Sequence, residues 1–290
     1  MSVQPVPPSP VLHAVRLGIR RGWTEFVQSL RSSQDQWFYL FTAILAVGYL
    51  YLRRDTPVEG TDLMLPSMAL PSILGGMLAF GLVLGPAYSL AMEKEDGTLL
   101  RAKAVPNGLV GYFAGQLVLH TSSILPQMVA VLVPSFLLFD GLMADPSGWL
   151  TVVWVLGLGL LATLPIGMAI GALVPNAQKV GMWGMLPVIV LAGISGIFYP
   201  IQALWGWVQV MAQVFPMYWL GLGMRSAFMP DSAVSVEIGD SWRPLETVLV
   251  LGAWAVVGAL LAPALLRRMA QRQSGSQVAA AREAATQWVK

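Results

Sequence analysis

Apolar residues in this chain gather into long runs divided by short polar islands, and the pattern predicts a series of helices, most of them long enough to cross a bilayer. The first segment differs. Over 11–30, Val11, Leu12, Val15, Ile19, Trp23, Phe26, Val27 and Leu30 recur at i, i+3, i+4 spacing. At about 100° per residue they share one side of a helix, and His13, Arg16, Arg20, Arg21, Thr24, Gln28 and Arg31 share the other. Cations opposite a Trp/Phe/Leu face predict a helix lying in the membrane interface. The alternative is a core-facing helix of a soluble cap.

Membrane spans are predicted over 37–52, 68–92, 109–139, 149–174, 180–197 and 246–266. Trp37 and Tyr39 at one end of the first, and Tyr49 and Tyr51 at the other, suit the two headgroup belts. Prolines 71, 86, 126, 134, 165 and 187 lie inside spans and read mostly as kinks. The run 198–228 is too long for a loop and too broken for a clean span, with Pro200, Gly206, Pro216, Gly221 and Gly223 interrupting it. Trp205, Trp207, Tyr218 and Trp219 prefer interfaces, so the run predicts two short helices dipping into the outer leaflet; the alternative is one more span. Between the second and third spans sits a charged island, 93–106, EKEDGTLLRAKAVP.

Charge orients the chain. Six spans put both ends on one side; with the ends inside, 13 of the 17 Lys and Arg face the cytoplasm and only Arg53, Arg54, Arg225 and Arg243 face out. The positive-inside rule therefore places both termini in the cytoplasm, in a multi-pass cytoplasmic (inner) membrane protein.

Composition narrows the chemistry. The 290 residues are 56% hydrophobic and 11% charged, with mean hydropathy +0.66; so few charges could not cover the surface of a soluble globule. No cysteine occurs, and His13 and His120 are too far apart to form a ligand cluster, so no metal site is expected. The Pro-rich start, 1–10, reads as disordered and lacks the features of a cleavable signal. Span interiors carry essentially no charge, which argues against an ion-coupled transporter; His120 is the single ionisable candidate there and reads as a packing residue. Four lysines exist, none after a Gly-x-x-x-x-Gly, so no phosphate-cradling loop is present, and no catalytic constellation appears. If ATP drives this protein, a second polypeptide binds it.

The order of these features resembles the membrane permeases of ABC-2 type exporters, including daunorubicin-resistance-like drug permeases. The carrying motifs are the amphipathic start, the acidic cluster followed by Gly-Thr-Leu (Glu93, Lys94, Glu95, Asp96, Gly97, Thr98, Leu99) between spans two and three, and Gly196-Ile197-Phe198-Tyr199-Pro200 after span five. One departure is Leu100, where a second acid often follows. The resemblance implies an all-α membrane protein: six transmembrane helices, an N-terminal amphipathic interfacial helix (11–34), a transmembrane domain over 35–268 with re-entrant extracellular helices between spans five and six, and a cytoplasmic tail over 269–290. It further implies a non-catalytic subunit that exports a hydrophobic or amphipathic compound, or alternatively a polysaccharide or lipid-linked glycan. ABC ATPase subunits would hold ATP and magnesium, and this chain would bind no cofactor and no nucleic acid. A second permease copy, identical or similar, would complete the path. An ATP-independent channel or secondary transporter, or a membrane anchor or sensor without transport, is the competing class.

Site expectations follow from the same likeness. Residues 93–106 would form the coupling loop gripped by the ATPase, through Glu93, Glu95, Asp96, Gly97, Thr98 and Leu99. Acids ahead of Thr98 favour a helix start, Thr98 can cap it, and Leu99 with Leu100 offers an apolar knob. Phe198, Tyr199 and Pro200 would form an extracellular gate. Met68, Met77, Met182 and Met185 are candidates for the substrate path, because Met-rich surfaces accommodate varied apolar ligands.

Overall fold

A computed structural model describes residues 9–58, 63–140, 142, 146–197 and 201–272. Helix α1 (Pro10–Arg31) begins where the Ser9 hydroxyl accepts the Leu12 N–H at 3.3 Å, with Pro10 in the first turn. Ser32 ends it and caps α2 (Ser33–Leu52). The corner between them is tied by Ser29 Oγ donating to Asp35 Oδ2 at 2.7 Å and by the Gln36 amide donating to the Leu30 carbonyl at 2.8 Å. The long helices α3 (Leu65–Glu95), α5 (Gly108–Leu138) and α6 (Gly148–Leu173) follow, with the single turn and a half of α4 (Thr98–Lys103) between α3 and α5.

After α6, α7 (Ala177–Lys179), a π-turn (Val180–Gly184) and α8 (Met185–Ile194) form one continuous helical stretch. Asn176 caps its start by accepting the Lys179 N–H at 3.0 Å. Two short helices, α9 (Gly206–Val214) and α10 (Pro216–Phe228), come next, then α11 (Pro244–Arg272). At 1.5 Å per residue α9 and α10 reach only about 13 and 20 Å, short of the roughly 30 Å hydrocarbon layer. The broken run 198–228 thus becomes two non-spanning helices, and Pro216 makes the break between them by starting α10.

The protein is all-α: among the described residues the one β feature is an isolated bridge between Pro57 and Met64. Among the described residues five helical stretches are long and apolar enough to cross a membrane: 65–95, 108–138, 148–173, 177–194 and 244–261. At 20 residues, α2 also has the length, but Gln34, Asp35 and Gln36 in its first turn lower its hydropathy.

Helix α3 forms the centre. Leu70, Leu74, Leu78, Leu82 and Leu90 are fully or almost fully buried against α6 and α10. Of the 13 residues of α10, all but Ser226 are buried. Its connection to α11 is fixed by Arg243, which donates to Tyr218 Oη at 2.8 Å and to Gln213 Oε1 at 2.9 Å.

The amphipathic α1 departs from the simple interfacial picture in one respect. Its large apolar residues, including Leu12, Ile19 and Trp23, are exposed on the bundle. A third face, made of Ala14, Gly18 and Gly22, is buried on Gly111 and Gly115 of α5. A Cβ at Gly18 would overlap the Gly111 carbonyl, so only glycine permits this helix crossing.

Candidate functional site: the polar ties around α4

The last turn of α3 carries Glu93, Lys94 and Glu95, and each reaches a different element. Glu93 Oε1 accepts from Arg21 Nη2 of α1 at 2.9 Å and from the Gln116 amide of α5 at 3.1 Å. With its amide donating to Glu93, Gln116 presents Oε1 as an acceptor, so His120 Nε2 donates to it at 2.9 Å. A hydrogen-bonded relay therefore runs from α1 through α3 to the buried His120 of α5. Arg21 also pairs with Glu25 at 2.6 Å and sits 5.5 Å from the Tyr112 ring centroid. Burial works against its charge, but the Glu93 and Glu25 carboxylates outweigh burial and raise its pKa above the ordinary value, so Arg21 stays protonated.

Lys94 and Glu95 clamp the turn between α6 and α7. Lys94 Nζ donates to the Val174 carbonyl and, at 3.4 Å, to the Gly171 carbonyl at the end of α6. Glu95 Oε1 accepts the Ala177 N–H at 2.6 Å at the start of α7. A cation on a helix C-terminus and an anion on a helix N-terminus both match the helix dipoles.

Beyond Glu95 the chain reverses through Gly97, whose φ of 78° suits glycine. Asp96 Oδ1 accepts the Thr98 N–H at 2.7 Å. The N-cap position falls on Gly97, which has no side chain to cap with, and Thr98 is already the first residue of α4; the Asp96 carboxylate therefore takes up the first N–H in place of the expected Thr98 cap. Leu99 is fully buried and Leu100 half-buried, so Leu99 anchors α4 to the bundle instead of projecting as a knob. Among the described side chains of the segment, Asp96, Arg101, Ala104, Val105, Pro106 and Asn107 are exposed.

The pattern of the ABC-2 type transporter family matches residues 13–229. The chain belongs to that family. No curated protein matches the chain. The multi-pass membrane character of this ABC-2 type chain agrees with its five long apolar helices.

The remaining sequence candidates of the ABC-2 type chain scatter. Phe198, Tyr199 and Pro200 lie outside the described residues, as do 1–8 and 273–290, most of the two segments read as a disordered start and a tail. Met68 lines a cavity of about 620 Å³ between α2, α3 and the end of α8. Met77 is partly buried against the core, whereas Met182 and Met185 face outward on the π-turn stretch. The four methionines do not converge on one path.

Sequence reasoning missed a buried ion pair at the end of the bundle remote from α4. Arg225 of α10 and Glu237 are each 3% exposed and pair through Nε with Oε1 and through Nη2 with Oε2 at 3.2 Å. Arg225 Nη1 also donates to the Gly196 carbonyl at 3.1 Å. The charge count places Arg225 on the outer side, inside the broken run 198–228, and names no partner for it. The available signal was a lone cation within the apolar run 198–228, which in lipid surroundings demands a partner. Arg21 and Gln116 were also missed as partners of Glu93, since nothing in local spacing links residues so distant in sequence.

Proposed function

We propose that the chain is the membrane permease subunit of an ATP-driven exporter, with α2 as the first of six spans, both termini in the cytoplasm and a separate ABC ATPase docking on α4. The observation that carries this reading is the bracing of α4. Leu99 roots it in the bundle, while the adjoining turn of α3 is bonded to α1, α5, α6 and α7 through Arg21, Gln116, Val174 and Ala177. A push on a short braced helix moves several helices together; a push on a floppy loop is lost in the loop. In this reading Glu93, Glu95, Gly97 and Leu99 set the position of α4. The partner touches the exposed Asp96, Arg101, Val105 and Pro106, with Thr98 beside them. ATP and magnesium belong to the partner. The cargo is a hydrophobic or amphipathic compound, a class supported by the cavity beside Met68, whose walls are largely apolar.

The test is co-purification of the tagged permease with its ATPase subunit. Asp96→Lys combined with Arg101→Glu reverses two exposed charges and should reduce recovered ATPase several-fold while leaving the permease monodisperse. Undiminished recovery together with unchanged ATP-driven transport would remove α4 as the docking element. Transport by the permease in liposomes without any ATPase would overturn the exporter reading as a whole.

A further inference from the structure

A second cavity, of about 650 Å³, opens between α1, α2, α3 and α5 on the α4 side of the bundle. Along α3 its lining runs from Asp96 to Gly81, a depth of about 22 Å at 1.5 Å per residue. The mouth carries four carboxylates, Glu25, Asp35, Glu93 and Asp96, and the described lining contains no lysine or arginine. Arg21 stands outside the lining and pairs with Glu25 and Glu93. Asp35 receives a hydrogen bond from Ser29 Oγ and forms no ion pair among the described residues. The walls beyond the mouth are aromatic, formed by Phe38, Tyr39 and Tyr88.

The deep end supplies an independent observation. The Gln127 side chain lines the cavity, is 9% exposed, and makes no hydrogen bond among the described residues. With the rest of the side chain buried, the amide opens onto the cavity, so its two donors and its carbonyl are groups that a ligand can satisfy. Nearer the mouth, Glu93 Oε2 is buried without a hydrogen-bond partner. Carboxylates at one end, aromatic faces between and an unsatisfied amide at depth fit one kind of molecule. Carboxylates attract a cation, aromatic rings hold a cation or a flat apolar body, and an anion would meet repulsion at the mouth. We infer that this cavity binds an amphipathic cation, an aromatic or aliphatic body bearing one ammonium-type charge, with the charge at Asp35 and a polar group hydrogen-bonded to Gln127. As the entry site of the exported compound it rests on the permease reading above; the binding itself does not.

The experiment uses the full-length permease in lipid nanodiscs, without ATPase subunit or ATP, so that it is blind to coupling. The probes are rhodamine 6G, which is permanently cationic, and a neutral BODIPY dye of similar size, each corrected for partitioning into empty nanodiscs. Saturable binding of rhodamine 6G with at least about tenfold preference over the neutral dye is expected. Gln127→Leu and Asp35→Asn should each weaken it about five- to tenfold, the loss of one hydrogen bond or one charge. Asp35→Asn keeps an acceptor for Ser29, and Gln127→Leu removes a group that satisfies nothing in the fold, so both should elute as the wild type does. No saturable binding, equal binding of the two dyes, or binding unaffected by both substitutions overturns the inference. Those results would leave co-purification with an ATPase untouched, whereas failure of that co-purification would leave dye binding untouched.

Discussion

Charge is handled in opposite ways at the two ends of the bundle. Around α4, Arg21, Glu93, Lys94 and Glu95 are partly exposed and share several partners across α1, α5, α6 and α7. At the remote end Arg225 and Glu237 are both 3% exposed, and each relies on the other. Solvent lowers the cost of exchanging a partner in the first set. Opening the second leaves an isolated charge in low dielectric, which is far more costly. In the proposed export reading, the difference suits one end to change its geometry and the other to hold α10 fixed against the turn after α8.

The largest test removes half of the buried pair. Glu237→Ala should destabilise the protein by about 3–5 kcal/mol, read as a lowered thermal midpoint in detergent. Replacing both partners, Arg225→Met with Glu237→Leu, should recover most of that loss. Equal loss in single and double variants would mean that the segment, not the ion pair, sets stability there.

Next in size is the glycine crossing that brings Arg21 to Glu93. Gly18→Leu forces α1 away from α5 and should cost about 1–3 kcal/mol. A disulfide introduced between α1 and α5 should form in the parent and fail in this variant. If it still forms, α1 is held by its membrane face and not by α5.

Arg21→Gln tests the shared network itself. It leaves Glu93 without its cation, at about 1–2 kcal/mol, the lower end for charged hydrogen bonds because Arg21 is a third exposed. Transport should fall further than the yield of the ATPase complex. A proportional fall in both would reduce Arg21 to a folding role.

The smallest effect belongs to the clamp on the α6–α7 turn. Lys94→Ala and Glu95→Gln should each cost about 0.5–1 kcal/mol, with ATPase stimulation by the permease reduced while docking persists. Loss of docking instead would mean that Glu95 touches the partner directly.

Much of this was legible without coordinates. Helix bounds came within a few residues of the apolar runs because a long apolar segment has few alternatives to helix in a bilayer. The predicted 11–30 became Pro10–Arg31, and 109–139 became Gly108–Leu138. The break at Pro216 was visible for a related reason: proline lacks the N–H that a continuing helix uses. Local chemistry at the island was less legible. Either Asp96 or Thr98 could have satisfied the start of α4, and the fall of the N-cap position on Gly97 gave that role to Asp96.

What the sequence by itself determined is the helical architecture, the membrane character and the charged island between α3 and α5, because hydropathy and backbone hydrogen bonding act over a few neighbouring residues. Tertiary structure alone decided that Leu99 points inward, that Glu93 meets Arg21 and Gln116, that Arg225 finds Glu237, and that Gln127 is left facing a cavity. Those outcomes depend on which faces of distant helices meet. Small contacts such as Gly18 on Gly111 set that choice, and no local pattern encodes their pairing.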